Sequence, residues 1–149
     1  MVKVNGNPIV ILMADDDADD RMLTRDALEE SRVLNELRFV EDGEELMEYL
    51  TRQGKFANPE DSPRPGLILL DLNMPKKDGR EALKEIKSDP NLRRIPIVIM
   101  TTSKAEEDIF RSYDSGASSF ITKPVTFDRL VELMRTLGEY GVEFVELPD

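Results

Sequence analysis

The stretch LILLDLNMPKKDG, Leu67–Gly79, decides how the chain reads. It opens on the unbroken apolar run Leu67–Leu70, the pattern of a strand buried on both faces. The run ends on a carboxylate, Asp71, and Pro75 and the Asp78–Gly79 pair then break the chain into a turn. A carboxylate at that point leaves the sheet at its carboxyl end, where open parallel sheets keep their chemistry.

Working outward, other apolar runs match this one. Ile9–Ala14 predicts a first strand (β1), the more alternating Leu37–Val40 a second (β2), Leu67–Leu70 the third (β3), Ile95–Met100 the fourth (β4) and Ser119–Thr122 a short fifth (β5). Helical spacing falls between them. Asp19–Ser31 (α1) carries Met22, Leu23, Ala27 and Leu28, and Gly43–Gln53 (α2) carries Leu46, Met47, Tyr49 and Leu50. Arg80–Lys87 (α3), Lys104–Ser115 (α4) and Thr126–Tyr140 (α5) complete the series, with Thr126 suited to an N-cap. Five β-α units in alternation predict a parallel sheet with helices on both faces. Gly54–Gly66, rich in Pro, Gly and polar residues, reads as a loop between α2 and β3. The tail Gly141–Asp149 carries Val142, Phe144, Val145 and Leu147, too many apolar residues to leave in water, so it packs on the domain or meets a partner.

Composition excludes several chemistries. A chain of 149 residues without cysteine has no disulfide framework, thiolate nucleophile or thiolate metal site. It has no histidine, so Ser-His and Cys-His activation are excluded and any bound cation must take oxygen ligands, which favours Mg²⁺ or Ca²⁺. With 20 basic and 31 acidic residues the formal charge is −11, which opposes contact with nucleic acid or anionic lipid. No apolar run approaches the ~18 residues of a membrane span, and the N-terminal MVKVNGNPIVILM runs into five aspartates rather than a cleavage site. A cytoplasmic location is expected, and the length fits one domain, 1–149, with a core over about 8–140 and an extension at 141–149.

The strand ends supply a matched set: Asp15 and Asp16 after β1, Asp71 after β3, Thr101 and Thr102 after β4, and Lys123 after β5. Phosphoryl transfer to a carboxylate needs an oxygen nucleophile, a cation to offset charge and donors for the phosphoryl oxygens. Asp71 suits the first role, the acidic pair would hold Mg²⁺, and Lys123 and Thr101 are the donors. The neighbouring residues have plainer readings. Asp17, Asp19 and Asp20 suit a helix start, Glu41–Asp42 look like capping residues, and Asp78–Gly79 reads as a turn.

These residues resemble the receiver domain of bacterial two-component response regulators, of the chemotaxis-regulator type. The resemblance rests on ILMADDD at 11–17, LILLDLNMPKKDG at 67–79, PIVIMTTS at 96–103 and SFITKPV at 119–125. It implies a flavodoxin-like (βα)₅ doubly wound α/β fold, a five-stranded parallel sheet of strand order 2-1-3-4-5. It also implies that Asp71 is phosphorylated from a histidine kinase's phosphohistidine. Asp16 and the Asn73 backbone carbonyl would join Asp71 on Mg²⁺, with Asp15 acting through water. Thr101 becomes the switch hydroxyl, Lys123 the family's lysine and Phe120 its aromatic switch residue, although sheet packing accounts for Phe120 equally well. The implied protein is a phosphoacceptor signalling protein rather than an enzyme, and it signals by a shape change of the α4-β5-α5 face. With no separate DNA-binding domain in 149 residues, output is expected through protein contact. The long α2–β3 loop, the acidic start and the tail are most similar to cyanobacterial phytochrome-associated response regulators. That narrower likeness implies a phytochrome-type kinase partner and a homodimer through the α4-β5-α5 face and the tail. The alternatives are another sensor kinase, a place as a phosphorelay intermediate, or an aspartate-nucleophile phosphatase. The phosphatase needs an aspartate where Asn73 stands, a flavodoxin-like carrier needs a phosphate loop where DDDADD stands, and an unphosphorylated interaction module needs no intact pocket.

Overall fold

The computed structural model describes residues 3–4, 7–8, 10–30, 35–101 and 119–122, with Asp128, Arg129 and Glu132. Five parallel strands form one sheet: β1 Val10–Ala14, β2 Glu36–Val40, β3 Pro65–Asp71, β4 Ile97–Thr101 and β5 Ser119–Thr122. Their order across the sheet is 2-1-3-4-5, as the family resemblance implies. The helices are α1 Ala18–Glu30, α2 Gly43–Thr51 and α3 Gly79–Ser88. The regions expected as α4 and the tail lie outside the described residues, as does most of α5, where Asp128, Arg129 and Glu132 are helical. A two-residue antiparallel ladder, Lys3–Val4 against Asn7–Pro8, precedes β1 and was not expected. The Asn5–Gly6 pair between its strands is the signal for such a hairpin.

The apolar runs build the core. Leu12 and Ala14 of β1, Ile68 and Leu70 of β3, and Ile97 and Ile99 of β4 join Leu46, Tyr49, Ala82, Leu83 and Ile86 of α2 and α3 in one buried cluster. The alternate residues Ile11, Met13, Leu67, Leu69, Val98 and Met100 are buried as well, so both sheet faces are covered, as unbroken apolar runs require. Right-handed crossovers put α2 and α3 on one face and α1 on the other, because β1 to β2 runs in the opposite direction along the sheet from β2 to β3.

Local chemistry sets the boundaries. Asp42 caps α2 by accepting the Glu45 amide at 2.7 Å, and α2 stops at Thr51 because Arg52 turns left-handed (φ 55°). Asp78 does more than turn the chain: its Oδ1 accepts the amides of Arg80 and Glu81 at 2.8 and 3.1 Å and so starts α3. In α1, Met22 does not join the buried stripe and is 64% exposed. Thr24 is buried instead with Ala27 and Leu28, its hydroxyl satisfied by donating to the Asp20 carbonyl at 3.0 Å.

The segment expected as loop 54–66 is shorter. It begins with a turn of 3₁₀ helix at Gly54–Phe56, and β3 already starts at Pro65, a first-strand position where a missing N–H costs nothing. What remains is fastened. Buried Ser62 donates to the Phe56 carbonyl at 2.8 Å, Tyr49 Oη donates to the Pro63 carbonyl at 2.8 Å, and Arg38 donates to the Asp61 carbonyl at 3.1 Å.

Candidate functional site

Parallel register brings the two acidic strand ends side by side. Ala14 pairs with Leu70, so Asp15 and Asp71 are the next residues on adjacent strands. Each is held to the sheet one position past its run: the Asp15 amide donates to the Val40 carbonyl at 3.0 Å, and the Leu72 amide to the Met100 carbonyl at 3.1 Å. Beyond that point both chains turn on their own carboxylates. Asp15 Oδ1 accepts the Asp17 amide at 2.9 Å and Asp71 Oδ1 accepts the Asn73 amide at 3.0 Å, the self-closing turn that a short carboxylate side chain makes.

Asp15, Asp16 and Asp71 thereby come together, each offering a carboxylate oxygen within 4.8 Å of the others. Asp15 is fully buried, Asp71 is 3% exposed and Asp16 is open to solvent. At an effective dielectric constant of ~20, charges at such separations repel by roughly 3 kcal/mol per pair. That repulsion is relieved by a cation, and three hard oxygen donors, one reached from solvent, fit a divalent ion that keeps part of its water. Among the described residues this is the one such acidic group, and with no histidine or cysteine in the chain the donor set is all oxygen.

The other expected residues divide into four groups. Asp17 Oδ1 accepts the amides of Asp19 and Asp20 at 2.8 and 3.4 Å, so Asp17, Asp19 and Asp20 build the start of α1 as expected. Asn73 is exposed two residues after Asp71. Thr101 lies on β4 one residue beyond Met100, the register partner of Asp71, and pairs with Thr122 of β5, while Phe120 pairs with Ile99. Lys123 follows Thr122 in the chain and lies outside the described residues.

Two residues at the site were not singled out by sequence. Gly79 donates its amide to the Leu72 carbonyl at 3.0 Å and approaches so closely that a Cβ there would stand 2.3 Å from the Asp71 carbonyl oxygen. A glycine at the start of a helix after Asp-Gly was the available signal, read only as a turn. Arg21 Nη1 donates to the Asp15 carbonyl at 2.8 Å, and its Nη2 lies 3.1 Å from Glu41 Oε1. Nothing in the spacing marks that contact.

A doubly wound sheet of order 2-1-3-4-5 with an acidic cluster at the ends of β1 and β3 defines a receiver-type domain. The chain belongs to the response regulator receiver domain family, whose profile matches residues 11–135. It is 43% identical over 141 residues to the response regulator Rcp1 of Synechocystis, covering 95% of this chain and 94% of that protein. Among solved structures it is similar to the phosphorylated cyanobacterial phytochrome response regulator RcpA, with a TM-score of 0.79 and 44% identity, covering 95% of this chain and 99% of that one. The Mn²⁺-bound form of Rcp1 superposes with a TM-score of 0.77 at 42% identity, over 95% of this chain and 100% of that one. The likeness to phytochrome-associated response regulators agrees with the sequence reading, and the chain is a two-component signalling protein. No helix among the described residues is long and apolar enough to cross a membrane.

Proposed function

We propose that the chain is a single-domain phosphoacceptor, 1–149, which takes a phosphoryl group onto Asp71 from the phosphohistidine of a sensor kinase. The observation that carries this reading is the carboxylate trio, two of its members buried and all three within 4.8 Å at adjacent strand ends. Asp71 is the nucleophile. Its carboxylate oxygen forms the new P–O bond while the P–N bond to the donor imidazole breaks and the imidazole leaves with the bonding pair. The Asn73 amide donating to Asp71 Oδ1 at 3.0 Å restrains the orientation of the carboxylate. Asp16, Asp71 and the Asn73 carbonyl would hold Mg²⁺, with Asp15 acting through water. Bound there, the cation supplies positive charge against the incoming phosphoryl oxygens. Lys123 and Thr101 are the proposed donors to those oxygens, and Thr101 and Phe120 the pair that passes the change to the α4-β5-α5 face.

The phosphoryl group adds about 1.5 to 2 negative charges to a pocket already rich in carboxylates. A few kcal/mol of differential stabilisation then suffices to shift the domain between two conformations. The likeness to RcpA and Rcp1 supports a phytochrome-type light-regulated kinase as the donor, and the proposed setting is cytoplasmic. A homodimer through the α4-β5-α5 face and the tail is part of this proposal, and truncation before Gly141 tests it by a change in elution volume. The formal charge of −11 argues against direct nucleic-acid contact.

The test is chemical. With Mg²⁺ and acetyl phosphate the wild-type protein gains one phosphoryl mass increment, and chelation by EDTA abolishes it. Asp71→Asn remains unlabelled; labelling of that variant at the wild-type rate would sink the assignment.

A further inference from the structure

Asp15 and Asp16 are joined by one peptide group, and the carbonyl of that group is the Asp15 oxygen that Arg21 holds at 2.8 Å. The guanidinium is itself anchored. Its second nitrogen lies 3.1 Å from Glu41 Oε1, and the Arg21 side chain is only 18% exposed. The Glu41 side chain is 64% exposed, but its backbone is held by the amide donating to Glu45 Oε1 at 2.9 Å, and Glu45 Oε2 lies 2.7 Å from Lys55 Nζ. On the other side, the Asp15 amide donates to Val40 and Asp15 Oδ1 accepts from the Asp17 amide. The peptide is planar, so fixing its carbonyl direction also fixes where the Asp16 Cα begins. Asp16 is the exposed member of the trio and stands on a bend between strand and helix. The Arg21 clamp is thus a constraint on how its carboxylate meets the other two.

Charge alone would make Arg21 unhelpful to a cation site, since a guanidinium beside a divalent ion repels it. Any favourable contribution must come through geometry. We propose that Arg21 is a positioning residue for the divalent cation: by tying the Asp15–Asp16 peptide to Glu41 it presets the acidic pair. The inference rests on the proposed cation role of Asp15, Asp16 and Asp71. Groups that orient metal ligands from behind typically change affinity 10- to 100-fold when removed.

The test measures Mn²⁺ affinity of the full chain by electron paramagnetic resonance of the free ion. Melting temperature in EDTA is recorded in parallel, for wild type, Arg21→Met, Arg21→Lys and Glu41→Gln. Positioning predicts about 10-fold weaker binding for both Arg21 variants, because lysine keeps the charge but cannot bridge both partners. Glu41→Gln, which keeps an acceptor, loses less. Arg21→Lys binding Mn²⁺ as wild type does, or Arg21→Met binding it more tightly, overturns the proposal. So does a lowered melting temperature in EDTA with unchanged Mn²⁺ affinity, which would make Arg21 a fold residue only. If Arg21→Met fails to fold, Arg21→Lys and Glu41→Gln decide the matter. A wild-type protein that binds no Mn²⁺ and labels without metal refutes the cation reading itself, a result distinct from any variant's failure.

Discussion

Replacing Gly79 with alanine sets two effects of opposite sign against each other. Gly79 is the first residue of α3, after the Asp78 cap, and its φ is not in the left-handed region. Helix propensity alone therefore favours alanine by up to about 1 kcal/mol. Packing says the reverse. The added Cβ would stand 2.3 Å from the Asp71 carbonyl oxygen and 2.6 Å from the Leu72 Cα. Non-bonded atoms settle at about 3.5 Å, so α3 and the acceptor strand must separate by roughly 1 Å. Both obstacles are backbone, which cannot rotate away as a side chain would, and overpacking of this kind costs about 1–3 kcal/mol. The Gly79 amide bond to the Leu72 carbonyl, 3.0 Å, is strained by the same movement. The expected net result is a loss of about 1–2 kcal/mol in urea unfolding. A 1 Å displacement of the reacting group lowers the acetyl-phosphate labelling rate about 100-fold. Gly43→Ala is the companion, since its Cβ would meet the Lys77 carbonyl at 1.9 Å, on the same loop but away from Asp71. It should cost similar stability with a far smaller change in labelling. A Gly79→Ala protein as stable as wild type and labelled at the same rate would refute the argument.

Two further expectations concern other parts of the molecule. Lys76 is held at φ 63°, and its amine reaches Asp42 only at 3.7 Å from an exposed position. Lys76→Gly should raise stability by about 0.5 kcal/mol, left-handed strain relieved less the small ion pair lost, and a urea midpoint below wild type contradicts this. Burial pushes the Tyr49 hydroxyl up to about 12 from 10.0, against the opposing pull of Arg38. The folded state therefore holds this proton longer than the unfolded one. The contribution is fully present below pH 10 and is lost as pH rises through about 12. Tyr49→Phe removes that alkaline loss, at a cost of about 1 kcal/mol at neutral pH for the unpaired Pro63 carbonyl. Parallel wild-type and variant stability curves between pH 10 and 12 would show that Tyr49 is not the cause.

Much of this architecture is readable from residue order, and the exceptions share physical reasons. Unbroken apolar runs marked β1, β3 and β4 because strands covered on both faces cannot alternate, whereas the short Lys3–Val4 and Asn7–Pro8 strands carry no such run. Pro65 and Gly66 looked like loop by composition, yet an amide-free residue is harmless at a strand's first position. Met22 was expected inside and Thr24 was not considered. A threonine that satisfies its hydroxyl on the Asp20 carbonyl packs like an apolar residue, which a count of hydrophobic side chains cannot register. Ser62 is buried in the loop after α2 for the same reason, donating to the Phe56 and Asn58 carbonyls. Arg21 is the extreme case, since its role depends on a carbonyl six residues back and a carboxylate twenty residues on.

The acidic site exposes a deeper division between what patterning and topology contribute. Each strand end announces a carboxylate, but 56 residues separate Asp15 from Asp71, and nothing in either run says that they are neighbours. Adjacency comes from β1 lying between β2 and β3, an order reached only because the chain reverses its direction across the sheet after β2. That reversal leaves the crevice beside β1 and β3 uncovered by a crossover, which is where such sheets bind ligands. Register then does the fine placement. Ala14 opposite Leu70 aligns the two aspartates, while a slip of one residue would turn Asp71 toward the opposite face and leave Asp15 beside an apolar neighbour. The shift between Val10 and Ile11, where Gly66 is passed over, absorbs an extra residue at the far end of the same strand pair. The irregularity therefore falls at the amino end of β3, and the carboxyl end keeps the alignment on which the trio depends.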